Sequence, residues 1–113
     1  MAEQLGDLTR THTCGALRSG DVGTSVVLLG WVHRVRDLGG LLFIDVRDRS
    51  GVTQVVFDAD NDAVMAKAKR LQSEFVVGVA GTVRRRSADT VNNKIPTGDV
   101  EVVVRELTIL NEA

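Results

Sequence analysis

A single cysteine, Cys14, excludes an internal disulfide and every multi-cysteine zinc site, and it reads as a small buried thiol. His12 and His33 have no histidine or cysteine neighbours at ligand spacing, and so little nucleophile-and-base material leaves no metal ligand and no catalytic residue to assign. Proline is nearly absent, one residue against eleven glycines, a balance that favours strands with bends, bulges and tight turns. Charge of one sign is lacking too. With a formal net charge of −1 the chain is no polycation that would coat nucleic acid or an anionic membrane, so any RNA contact must come from a local patch. No apolar run is long enough to span a bilayer, and the start MAEQLGDLTR lacks the basic-then-apolar order of a secretory signal, so the cytoplasm is the expected compartment.

What is present is the composition of one folded domain: 113 residues, 43% hydrophobic and 26% charged. Residues 1–9 are mixed and polar and read as a flexible arm before a domain over 10–113. From there the periodicity is two, the strand signal. SVVLLGWVHRVR at 25–36 is a strand with a bulge or sharp bend expected at Gly30, and Trp31 reads as core. LLFIDVR at 41–47 alternates, with Leu42, Ile44 and Val46 on one face and Leu41, Phe43, Asp45 and Arg47 on the other. Gly39-Gly40 joins these two strands as a hairpin turn, and Asp48 to Gly51 signals the turn into a third strand at 52–57.

At 60–73 the pattern changes to helical spacing through Val64, Ala68 and Leu71, with Asp60, Asn61 and Asp62 as N-cap and first-turn residues. Strands at 75–84 and 99–110 flank a polar loop, 87–98. Three strands, a helix and two strands predict an all-β fold with one helix, a five-stranded Greek-key OB barrel with the helix between the third and fourth strands.

On that fold Phe43 is a candidate stacking platform for an unpaired base, although the alternation leaves open that a bent barrel buries it, since Leu41 shares its parity. Arg34 and Arg36 share a face of the partner strand, and guanidinium groups suit phosphates and base edges. Gln54, mid-strand, carries a donor and an acceptor for a base's pairing edge. Arg84 and Arg86 close the fourth strand as candidate phosphate contacts. Each of the arginines, and Gln54, reads alone more simply as a solvated surface residue. Together they suit a few single-stranded bases and supply no catalytic group.

The run GWVHRVRDLGGLLFIDVRDRSGVTQVVFD at 30–58, with RTHTCGALR at 10–18, GTVRRR at 81–86, TGDVEV and LTILNEA, resembles the N-terminal anticodon-binding domain of bacterial aspartyl-tRNA synthetases. The resemblance covers nearly the whole chain after residue 9. It implies an OB barrel that grips the anticodon loop of aspartate tRNA. In that family's terms Phe43 stacks on the middle anticodon base, Gln54 and Arg36 meet its edge, and Arg34 lies near the backbone. Glu101 is placed to meet the first anticodon base.

Leu38 and Thr90 fall at positions bearing on discrimination between aspartate and asparagine tRNAs, Leu38 resembling the aspartate-only type. Many relatives carry three consecutive arginines where this chain has Arg34-Val35-Arg36. The resemblance also implies a homodimeric parent ligase using ATP and Mg, with its catalytic domain after LNEA. This chain is expected to be a monomer with no cofactor and no aminoacylation of its own. The other readings are a free-standing single-strand-binding module, a protein-interaction barrel, or the same domain of a lysyl or asparaginyl relative.

Overall fold

The computed structural model describes residues 9–38, 40–58 and 62–112. Residues 1–8 of the arm expected at 1–9, Gly39 of the hairpin turn, and Asp60 and Asn61 of the expected helix start lie outside the described residues. Five strands form a closed barrel: β1 (Ser25–Leu38), β2 (Leu41–Asp48), β3 (Gly51–Phe57), β4 (Val76–Arg85) and β5 (Val100–Asn111), in the spatial order β1-β2-β3-β5-β4. One helix, α1 (Asp62–Ala68), sits between β3 and β4, so element order and barrel are those expected from the sequence. No helix among the described residues is long and apolar enough to cross a membrane.

The strands form because their β-branched residues alternate, one face in and one face out. Val26, Leu28, Val32, Ile44, Val46, Val55, Val77, Val79, Val102 and Ile109 fill the barrel and are essentially sealed from solvent. Each such side chain contributes about 1.5–3 kcal/mol relative to exposure. All neighbouring pairs are antiparallel except β3 with β5, a short parallel seam of Val55 with Val102 and Val56 with Val103. The segment before β1 is tied to one end of the barrel: Cys14 and Leu17 are fully buried, and Thr53 Oγ1 donates to the Cys14 carbonyl. Burial first, and the neighbouring Asp48 carboxylate second, push the Cys14 thiol from 9.0 up to about 12, so the bland reading of this cysteine holds.

Three local expectations need correction. The register of β1 against β2 shifts between Val32 and Arg34, so the bulge is at His33 and not at Gly30. Gly30 is instead a close approach, where a Cβ would fall onto the Arg47 carbonyl oxygen as β1 turns from β4 to β2. Trp31 is only half-buried and lies outside the core cluster, because before the bulge the odd residues of β1 point outward. The helix stops at Ala68 instead of 73. Beyond it Arg70 and Leu71 donate to carbonyls three residues back, which drops Leu71 into the core, and Glu74 at φ 75° turns the chain so that Val32 N–H reaches the Phe75 carbonyl.

Candidate nucleic-acid interface

The bulge at His33 decides which side chains of β1 face out. Cross-strand partners share a face, so Arg34 opposite Asp45 and Arg36 opposite Phe43 both lie outside the barrel, away from inward Leu42 and Ile44. Asp45 lies opposite Gln54 on β3, and Arg84 on β4 opposite Glu101 on β5. One transverse row of polar side chains therefore crosses the outer face of the barrel.

Adjacent members of that row are bonded to each other. Arg36 Nη2 donates to Asp45 Oδ1 at 3.0 Å and to Gln54 Oε1 at 2.7 Å. Gln54 Nε2 donates to Glu101 Oε1 at 2.8 Å, and Arg84 Nε donates to Glu101 Oε2 at 2.6 Å. Gln54 and Glu101 are only 3% and 4% exposed, so these bonds form with little competition from water. Gln54, expected as an open surface amide, is a sealed one with its orientation fixed. Arg34 is exposed and makes no hydrogen bond or ion pair with a described residue.

Phe43 lies on the outer face as the alternation suggested, yet it is only 8% exposed and not an open platform. It pairs with Val56, also outside the core cluster and fully buried. The cover is the β4–β5 loop. Arg86 Nη1 donates to the Thr90 carbonyl at 3.0 Å, and Thr97 Oγ1 donates to the Val52 carbonyl at 2.5 Å, which folds the loop back over β3. Arg86, expected to reach phosphate, is 7% exposed and turned inward, with Nε on the Val100 carbonyl and Nη1 also 3.4 Å from Gln54 Oε1. Burial draws its pKa down, the Asp45 and Glu101 carboxylates oppose that, and the guanidinium keeps its charge.

Two clefts meet at the Phe43 ring. One, of about 250 Å³, is bordered by Arg36, Leu38, Phe43, Gln54, Arg86 and Thr90. The other holds Phe43 and Thr90 with Leu41, Arg84 and Glu101. Every residue singled out from the sequence except Arg34 borders one or both. Leu38, at 57% exposure, stands at the rim on the hairpin tip, where it pairs with Leu41 across a turn whose Gly40 has φ 94°. Sequence reasoning missed Asp45, which anchors Arg36; its signal was the parity it shares with Phe43. It also missed the loop as a lid on the ring, for which 87–98 carried only polarity.

A five-stranded barrel with this strand order, and with a cleft on its outer face beside β2 and β3, is an OB-fold. The chain belongs to the tRNA anticodon family of OB-fold nucleic acid binding domains, which it matches over residues 26–110. It is 52% identical over 113 residues to the Aspartate–tRNA(Asp/Asn) ligase of Moorella thermoacetica, covering 100% of this chain and 19% of the relative. The enzyme of the same name from Desulfotalea psychrophila is 54% identical over 110 residues, 96% of this chain and 18% of that one. The chain thus spans about a fifth of the length of these curated relatives. Among solved structures, the asparaginyl-tRNA synthetase of Pyrococcus horikoshii in complex with asparaginyl-adenylate matches with a TM-score of 0.77 at 27% identity, over 94% of this chain and 23% of that one. An OBody, AM2EP06, bound to hen egg-white lysozyme, matches with a TM-score of 0.82 at 27% identity, over 94% and 97%.

Proposed function

We propose that the chain is the anticodon-reading domain of an aspartate–tRNA ligase, and that the clefts at Phe43 receive the anticodon bases of aspartate tRNA. The observation that carries this reading is the row Arg36–Gln54–Glu101–Arg84, hydrogen-bonded end to end beside an aromatic ring. A base entering between Leu38 and Thr90 meets the Phe43 ring for stacking, worth about 1–3 kcal/mol, and Gln54 and Arg36 at its edge. This is the middle anticodon base. Glu101, in the second cleft, meets the first anticodon base, and Arg34 stands outside near the backbone. Arg84, its side chain 44% exposed, keeps donors free for phosphate while Nε holds Glu101. Arg86 acts from beneath, holding the loop and Gln54 in place.

The barrel itself requires no cofactor; ATP and magnesium belong to the rest of such an enzyme, which works as a cytoplasmic homodimer, while this domain alone is a monomer. Leu38 at the rim is the aspartate-only feature, while Thr90, at the other position bearing on discrimination, favours neither type, whereas the relatives above are named for both aspartate and asparagine tRNAs.

The test is a titration with an aspartate-type anticodon stem-loop, an asparagine-type one, an aspartate-type loop with its middle base changed, and single-stranded DNA of equal length. Preference for the cognate loop, lost in Phe43→Ala, is the expected result. Equal affinity for all four ligands sinks the reading in favour of a nonspecific single-strand module. The asparagine-type loop decides the part of Leu38: weaker binding that Leu38→His restores makes this side chain the discriminator.

A further inference from the structure

We infer that the outer face of β1 and β2 running from Arg34 towards Trp31 carries the phosphate backbone of the RNA stem, with Arg34, Arg47 and Arg49 as its contacts and Arg10 at its far end. The inference rests on the anticodon-loop reading for the position of the unpaired bases. It assigns a role to arginines that the cleft does not use.

Register brings these residues onto one surface. Before the bulge the odd residues of β1 face out, and Trp31 lies opposite Arg47; after it the even residues do, and Arg34 lies opposite Asp45. Phe43, Asp45 and Arg47 follow one another on the outer face of β2, so the arginine strip continues directly from the cleft. Arg49, in the turn to β3, lines a separate depression of about 400 Å³ with Arg10 and Trp31. From Phe43 to Arg47 the strand advances about 13 Å, a path along which a loop held at Phe43 runs on into its stem.

The carboxylates nearest the strip are already committed. Asp45 is held by Arg36 at 3.0 Å. Asp48 spends its oxygens on the backbone, accepting from Cys14 N at 2.8 Å, Ser50 N at 2.8 Å and Gly51 N at 3.3 Å, and from the Ser50 hydroxyl at 2.7 Å. Arg10, Arg34, Arg47 and Arg49 are exposed and make no hydrogen bond or ion pair with a described residue. Four arginines thus gather on this surface without an ion pair to any described residue, against the single Asp48 carboxylate that keeps its charge beside them. Between Arg34 and Arg49 this surface offers neither a second aromatic platform nor an amide reader apart from half-buried Trp31 at its end. Guanidinium groups without stacking partners hold phosphates and carry no sequence information.

The experiment compares wild type with the triple variant Arg34→Gln, Arg47→Gln, Arg49→Gln. A charge-matched control carries Lys69→Gln, Arg70→Gln and Arg105→Gln, in the turn after α1 and on β5. Each is titrated across salt concentrations with the aspartate-type stem-loop, with its middle-base variant, and with the loop sequence alone as a single strand. The strip predicts that the triple variant binds the stem-loop at least about tenfold more weakly, with the slope of log K against log salt reduced by about 2–3. Preference for the cognate base stays within about twofold of wild type, the loop-only strand loses less affinity than the stem-loop because only Arg34 of the three borders the loop, and the control keeps the wild-type slope. An unchanged slope in the triple variant, or an equal loss in the control, overturns the strip. Equal wild-type affinity for the two stem-loops overturns the anticodon reading instead, with the slopes still judging the strip, and absence of stem-loop binding by wild type overturns both.

Discussion

The Gln54 amide nitrogen donates a 2.8 Å hydrogen bond to Glu101 Oε1, which fixes which end of the amide is donor and which is acceptor. With the nitrogen committed to Glu101, the oxygen is left to Arg36 at 2.7 Å and Arg86 at 3.4 Å. An amide free to flip would present either edge to a base; this one presents a single pattern. On the proposed reading its environment belongs to the recognition chemistry, and it also ties the barrel together, since β1, β3, β4 and β5 all contribute side chains to the row.

Replacing Gln54 by Leu should therefore cost stability as well as recognition. Glu101, Arg36 and Arg86 each lose a partner, and a buried polar group left unsatisfied costs about 1–3 kcal/mol. The expected result is a urea midpoint lowered by the equivalent of about 2 kcal/mol or more, with the slope of the transition unchanged. A midpoint equal to wild type would mean that the row contributes nothing to folding.

Phe43→Leu separates the ring from its apolar bulk. The side chain is covered but lies outside the core, and leucine keeps most of its apolar bulk while leaving a small void, so the change should cost about 1–2 kcal/mol in chemical denaturation. Binding of the cognate stem-loop should weaken roughly tenfold through loss of the stacking face. Wild-type affinity in this variant would show that the ring only fills space under the loop.

How much of this was legible in the sequence depends on the residue. The inward set Leu42, Ile44 and Val46 follows from alternation alone, and so does the outward parity of Phe43 and Asp45. Glu101 alternates with Val100 and Val102 in the same way, but only the resemblance drew attention to it. The single extra residue at His33 leaves no mark in hydropathy, and it decides both that Arg34 and Arg36 face out and that Trp31 does too. The loop beside Phe43 is held by bonds from Arg86 to Gln54 and from Thr97 to Val52, partners more than thirty residues away, which a local pattern does not encode. The helix end was misplaced because Leu71 keeps helical spacing while reaching the core from a tighter turn.

Gly30→Ala tests the close crossing of β1 over β2. The added methyl would fall on the Arg47 carbonyl, a backbone atom that can move only by displacing the strand pair. A destabilisation of about 1–3 kcal/mol is expected, read as a lowered thermal midpoint, although alanine is less entropically costly than glycine in a strand. An unchanged or raised midpoint would mean that β1 accommodates the methyl by sliding.

Asp48 gives the barrel a defined response to acid. Desolvation pushes its carboxyl upward, but hydrogen bonds from the Cys14 and Ser50 backbone and the Ser50 hydroxyl outweigh this and hold it below the ordinary 3.8. A depressed carboxyl contributes stability above its unfolded pKa and loses it as pH falls through the folded one. Asp48→Asn should therefore be less stable than wild type at pH 7, and the gap should close as the pH drops below about 4. Denaturation midpoints measured across pH 2–7 decide this, and a constant gap would count against it.

The recognition row is finished only by β5. Arg36, Gln54 and Phe43 are in place early in the chain, yet Glu101, which orients the amide and holds Arg84, lies far downstream, and the seam that closes the barrel joins Val55 and Val56 to Val102 and Val103. A polypeptide still being synthesised through its helix and fourth strand has neither a closed barrel nor an ordered reading surface. Removing β5 should therefore abolish the closed barrel and the ordered polar row together, since the same strand supplies the closing seam and the carboxylate that orients the amide.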